Sequence, residues 1–155
     1  MPILSWVYET GGRTKMLLTA NIMDFSSFLT VDDVERISGL SKVRQIPFHP
    51  MKFLGSDLNF VTESGNKILC VDFFAAKQFV TYKKMAPRTI LASISGVGDE
   101  ACAGQDPDDN SSMLMFRKGE HAVCMNSTAD NNAEQNALNL DQLITIGKVV
   151  ASRLL

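Results

Sequence analysis

Two histidines and three cysteines are the side chains of this sequence best suited to chemistry near neutral pH, and their spacing keeps them apart. His49 lies in Pro47-Phe48-His49-Pro50, where each proline forces the residue before it into an extended or turned backbone, so it reads as a loop residue. His121 falls beside a hairpin turn at the edge of a sheet. Neither stands next to a Ser, Cys or Asp in a nucleophile motif, and there is no G-x-S-x-G. A small enzyme using His49 or His121 is therefore the third of three readings, and the chain is expected not to be an enzyme.

Cys70, Cys102 and Cys124 are isolated among apolar residues with no C-x-x-C and no His at ligand spacing, which is not how a structural zinc site is written. They read as small buried hydrophobes. A Cys102 to Cys124 disulfide is the sharper alternative. In a simple meander the 112 to 116 strand separates those two strands, leaving them about 9 to 10 Å apart, and only another strand order would bring them within reach.

The acidic residues point away from metal and acid-base chemistry. Gln105 to Asn110 gathers three carboxylates, but counting an EF-hand from Asp106 puts Ser111 where Gly is required and Arg117 where Glu is required, so a solvated loop is the reading. Asp99 and Glu100 are adjacent, and in a strand they face opposite ways. Asn110-Ser111-Ser112 and Asn126-Ser127-Thr128 match a glycosylation pattern too short to decide anything alone. No metal or cofactor is expected.

The apolar side chains say more. Met113, Met115, Cys124 and Met125, with Leu114, Phe116 and Val123, make one hairpin apolar on both faces. One face meets the helices. The other is either a flexible apolar platform for a small hydrophobic ligand or a second chain, or it is covered by the N-terminal arm through Trp6, Val7 and Tyr8. The candidate ligand or partner surface is Trp6, Met113, Met115, His121, Cys124 and Met125.

Those residues need elements to hold them. In Ser95 to Thr128, Gly96 and Gly98 make a sharp entry to a short strand at Ala101 to Gly104. Ser112 to Phe116 and His121 to Ser127 then form a hairpin across Arg117-Lys118-Gly119-Glu120. Thr30 caps a short helix over residues 31 to 38 that Gly39 stops, with Leu29 and Val34 as its staple. Strands follow at Lys42 to Ile46, Ser56 to Glu63 and Lys67 to Phe74. A helix at Ala75 to Met85 carries Ala76, Phe79, Val80 and Lys83 at helical spacing, and Thr89 to Ile94 is β-branched. Asn139 caps a last helix with the stripe Leu140, Leu143, Ile144, Gly147, Val150, Ala151 and Leu154, in which Gly147 marks a close approach to the sheet. The order predicts an α+β fold, an antiparallel sheet with two or three helices packed mainly on one face. It is read as one domain over 1-155, with 1-28 an arm or hairpin and 29-155 the core.

At 155 residues, 45% hydrophobic and 21% charged, the chain has the composition of an ordinary globular domain. A net charge of −2 and no basic run longer than Lys83-Lys84 argue against nucleic acid and against attraction to an anionic membrane. There is no apolar run of transmembrane length. Arg13 and Lys15 ahead of Met16 to Met23 imitate a leader, but Asn21 and Asp24 interrupt it. As given the sequence reads as cytoplasmic, and as extracytoplasmic if a natural leader has been removed.

The helix from Thr30 to Leu40, the following strands and helix, Ser95-Gly96-Val97-Gly98-Asp99-Glu100-Ala101, the strand from Met113 ending at Arg117-Lys118-Gly119, and the Leu140 to Leu154 helix together resemble the small α+β domains of actinobacterial cell-envelope lipoproteins and the related extracellular sensor domain of a serine/threonine kinase. The resemblance covers residues 29 to 155, though no lipobox cysteine is present. It implies a non-enzymatic ligand-binding or sensor-like accessory domain. The alternative is a structural or interaction protein that forms a homodimer through the apolar hairpin face.

Overall fold

The structure is a computed structural model that describes residues 25–46, 57–85, 91–106, 111–127 and 138–154 in full, and residues 3–8 and 14–19 as backbone. It has nine strands and three α-helices among these residues: β1 (Ile3–Tyr8), β2 (Thr14–Thr19), α1 (Val31–Ser38), β3 (Arg44–Ile46), β4 (Leu58–Val61), β5 (Lys67–Ala75), α2 (Phe79–Lys84), β6 (Ala92–Ile94), β7 (Glu100–Gln105), β8 (Ser112–Lys118), β9 (His121–Ser127) and α3 (Leu140–Arg153). β1 and β2 form an antiparallel pair of their own, with Trp6 opposite Met16. The other seven strands make one antiparallel sheet in the order β3-β4-β5-β9-β8-β7-β6. The α+β expectation holds.

Local chemistry explains the joints. The β8–β9 loop is the two residues Gly119 and Glu120, closed by the Lys118–His121 pair. Gly119 takes φ +60° while Glu120 stays at negative φ, the II′ pattern whose twist suits a hairpin. Asp99 braces that turn: its Oδ2 accepts from the Gly119 N–H at 2.8 Å, and its own N–H donates to the Arg117 carbonyl at 2.8 Å. Gly98 makes this approach possible, because at φ +58° a Cβ there would lie 2.5 Å from the Arg117 carbonyl oxygen. The most motif-like stretch of the sequence is thus a brace for the hairpin.

Alternation along β8 and β9 divides the sheet into two faces. Leu114, Phe116, Val123 and Met125 point toward α1 and α3, where they pack with Leu29, Val34, Leu143, Ile146 and Val150. Met113, Met115, Ala122 and Cys124 point the other way, toward α2, and pack with Phe79, Phe74 and Cys102. Two helices therefore cover one face and the short α2 part of the other. In β4 the register shifts between Phe60 and Val61, and both neighbours are buried.

Both long helices begin with capping boxes, Thr30 with Asp33 and Asn139 with Gln142. The buried stripe of α3 is Leu143, Ile146, Gly147, Val150 and Ala151, with Leu154 just beyond it. Ile146 joins the stripe read from the sequence, while Leu140 and Ile144 lie half-buried at its margin.

The start of α3 is tied to the sheet by two buried serines. Ser127 Oγ donates to the Ile68 carbonyl at 2.7 Å and accepts from the Leu138 N–H at 2.6 Å, and Ser112 Oγ donates to the Leu138 carbonyl at 3.2 Å. Ser127 is 0% exposed. Ser127→Ala strands a buried N–H and a carbonyl together and is expected to lower stability by about 1 to 2 kcal/mol in urea unfolding. Ser152→Ala, at an exposed position, is expected to change it by less than about 0.5 kcal/mol. Equal stabilities for the two variants would remove this tie from the account.

Candidate binding surface beside helix α2

The helix α2 is short and held from below. A 3-10 turn, Ala76–Gln78, leads out of β5, where the Ala76 N–H donates to the Glu120 carbonyl at 3.0 Å and the Ala75 N–H donates to Gln78 Oε1 at 3.2 Å. Phe79 drops into the sheet and is buried against Cys102, Met115 and Ala122. Tyr82 rests on Phe74, ring centroids 4.4 Å apart. With Phe79 as the pin, the next turn faces outward.

That outer side is apolar and basic. Val80, Lys83 and Lys84 stand at i, i+3 and i+4, which puts them on one face, and with Leu91 they line a groove of about 360 Å³. Val80 is 57% exposed and Met85, at the helix end, 66%. Between Asp72 and Asp99 the sequence carries Lys77, Lys83, Lys84 and Arg88 and no Asp or Glu. Hydrocarbon lining beside ammonium groups can bury an apolar chain and hold a negative charge near its end.

The sequence-selected residues are distributed on both sides of the sheet. Met113 and Cys124 lie half-buried, and Met115 fully buried, on the α2 face. Met125 is 0% exposed on the other face, opposite Val71 and Leu114 in the sheet, because alternation along β9 separates it from Cys124. His121 is half-buried at the sheet end, paired with Lys118 and Ala75. The side chain of Trp6 and the whole of His49 lie outside the described residues.

Cys70, Cys102 and Cys124 are thiols, and none is joined in a disulfide. Met115 of β8 stands between Cys102 and Cys124 in the register, as the meander requires. Burial pushes the Cys124 thiol up to about 12, with the Asp72 charge adding to it and the Asn126 amide, donating to Sγ at 3.6 Å, opposing it. Burial also raises Cys102, against the Lys83 ammonium nearby. Both thiols stay protonated near neutral pH, and a thiol is neither nucleophile nor metal ligand until it ionises.

Across the sheet, Asp57 Oδ2 accepts from the Phe73 N–H at 2.8 Å and the Asp57 N–H donates to Asp72 Oδ1 at 3.3 Å. Burial and the Asp72 charge raise Asp57, while the Phe73 hydrogen bond lowers it. The two carboxylates stitch the entry of β4 to β5. Among the described residues no group of three or more His, Cys, Asp and Glu side chains could hold a metal ion, and no helix is long and apolar enough to cross a membrane.

The α2 surface was not singled out from the sequence. Its signal was the acid-free basic stretch, which a net charge of −2 averages away. Comparison with family models, with curated proteins and with solved structures found no match.

Proposed function

We propose that this protein is a non-enzymatic ligand-binding or sensor-like accessory domain, and that its ligand is a small molecule with an apolar body seated beside α2. The observation that carries the reading is the groove lined by Val80 and Leu91, with Val80 and Met85 held out in water on a helix that Phe79 pins. Single exposed apolar residues are common, but Val80 borders a concavity together with Leu91. The resemblance to envelope lipoprotein and sensor domains supports the same class of role.

A thermal-shift comparison of decanol, decanoate and short polar compounds tests it. At a hundredfold excess over Kd a bound compound stabilises by about 2.7 kcal/mol, a rise of several degrees in Tm for a chain of this size. Decanol or decanoate is expected to give that rise in the wild type, and Val80→Asp to abolish it. No stabilisation by either, or the same rise in Val80→Asp, would overturn the assignment.

A further inference from the structure

We propose that the outer side of α2 docks this protein on the surface of an anionic lipid bilayer, with Val80 and Met85 entering the headgroup boundary and Lys77, Lys83 and Lys84 meeting the lipid charges. The proposal rests on the reading above that this side of α2 is a binding surface, and it adds the chemistry of the partner.

Three observations carry it. The stretch between Asp72 and Asp99 holds four basic residues and no acidic one within a chain of net charge −2, so the remainder of the chain is distinctly acidic. An anionic surface attracts a basic stretch of this kind even when the net charge of the chain is negative. Secondly, the exposed residues are mixed. Val80 at 57% and Met85 at 66% exposure sit among Lys77 and Lys84, which are also exposed, and an element lying in a membrane interface needs both kinds. Tyr82, 41% exposed with its ring resting on Phe74, is a residue type suited to the headgroup level. Thirdly, α2 is anchored to the sheet through Phe79 and through the Ala76 N–H bond to Glu120, so the surface is presented ready-made. Nucleic acid would use the lysines but leave Val80 and Met85 without a role.

The test is co-sedimentation with vesicles of phosphatidylcholine mixed with phosphatidylserine, against vesicles of phosphatidylcholine alone, in about 0.1 M NaCl, where the Debye length is about 10 Å. The wild type is expected to bind the mixed vesicles and not the neutral ones, and to be released by high salt. Each lysine near the surface contributes about fivefold to partitioning. Lys83→Gln with Lys84→Gln therefore lowers it about 25-fold, and Val80→Ser with Met85→Ser lowers it about tenfold. Lys42→Gln with Lys148→Gln removes the same charge elsewhere and is expected to stay within about twofold of wild type.

All these positions are at least partly exposed, and a thermal melt of each variant confirms that it is folded. No binding to the mixed vesicles, equal binding to neutral ones, or an equal loss in the Lys42/Lys148 variant would overturn the proposal. So would binding to single-stranded DNA in place of vesicles, unchanged by Val80→Ser with Met85→Ser. Decanoate stabilisation without vesicle binding would remove the docking alone. Loss of both would remove the α2 surface altogether.

Discussion

Gly147→Leu is expected to lower the stability of this protein by about 3 kcal/mol, the upper end of what overpacking a tight core costs. Gly147 sits in the buried stripe of α3 where the helix crosses β8. A Cβ built there falls well inside van der Waals contact of Leu114 Cδ2, and 3.4 Å from Val97 Cγ1. Leu114 cannot turn away cheaply. It is 0% exposed, in the middle of the sheet, among Phe116, Val123 and Met125 of the same core. The helix must therefore lift, and lifting it opens the contact along Leu143, Ile146 and Val150. Gly147→Ala is the finer probe: it gains about 1 kcal/mol of helix propensity and suffers the same first clash, so it should fall between wild type and Gly147→Leu. Lys148→Ala, exposed and off the stripe, should move stability by less than about 0.5 kcal/mol. Urea unfolding of the three variants decides. Equal midpoints for Gly147→Leu and Lys148→Ala would mean that α3 is not docked on β8 through this glycine.

The glycine was legible because its cause is local and its setting periodic. Leu140, Leu143, Ile144, Gly147, Val150, Ala151 and Leu154 recur at i, i+3 and i+4 spacing, and an interior Gly in such a stripe has few explanations besides close approach. The caps were legible for the same reason, since Thr30 with Asp33 and Asn139 with Gln142 act within three residues of chain. What could not be read was the sharing of faces. In β9 strict alternation sends Cys124 and Met125 to opposite sides, but a run apolar at every position does not say which side an individual methionine takes. Helix α2 is only six residues long, too short for periodicity to fix its inner face. Phe79 and Val80 look interchangeable as apolar neighbours, yet one is buried and the other is among the most exposed apolar side chains described. The candidate surface followed from that choice. It became visible only once Phe79 was placed against Met115 and Cys102.

Arg153→Met is expected to lower stability by about 2 to 3 kcal/mol at pH 7 and by less near pH 3. Asp33 is buried at the start of α1, where Arg153 at the end of α3 reaches it with Nη1 at 2.6 Å from Oδ2 and Nη2 at 3.1 Å from Oδ1. The same carboxylate accepts from the Thr30 N–H at 2.9 Å and the Thr30 hydroxyl at 2.8 Å, and Arg153 Nη1 also donates to the Phe28 carbonyl at 3.1 Å. One bidentate pair thus ties the first turn of α1 to the last turn of α3. Removing the guanidinium leaves a buried carboxylate short of its strongest partner, which costs about 3 to 5 kcal/mol in a fully buried pair. Arg153 keeps part of its side chain in water, so the loss is set lower.

The pH dependence follows from the sign of the shift. The Arg153 hydrogen bonds hold the Asp33 carboxyl well below the usual carboxylate range; burial opposes this, and the Thr30 bonds assist it. A depressed folded-state value means that the contribution is complete above the unfolded value of about 4 and is lost as pH falls below it toward the folded value. In Arg153→Met the largest cause of the depression is gone, so its acid limb should be flatter and the two stability curves should converge as pH falls. Arg36→Met offers the contrast. Arg36 also touches Asp33, Nη2 to Oδ1 at 3.2 Å, but its side chain is 66% exposed and one turn away on the same helix, where such a pair is worth less than about 0.5 kcal/mol. Urea unfolding of wild type and both variants at pH 7 and pH 3 measures this. A gap between wild type and Arg153→Met that is the same at both pH values would place the loss in packing of the arginine stem and not in the ion pair, and α1 and α3 would then be joined by their apolar contact alone.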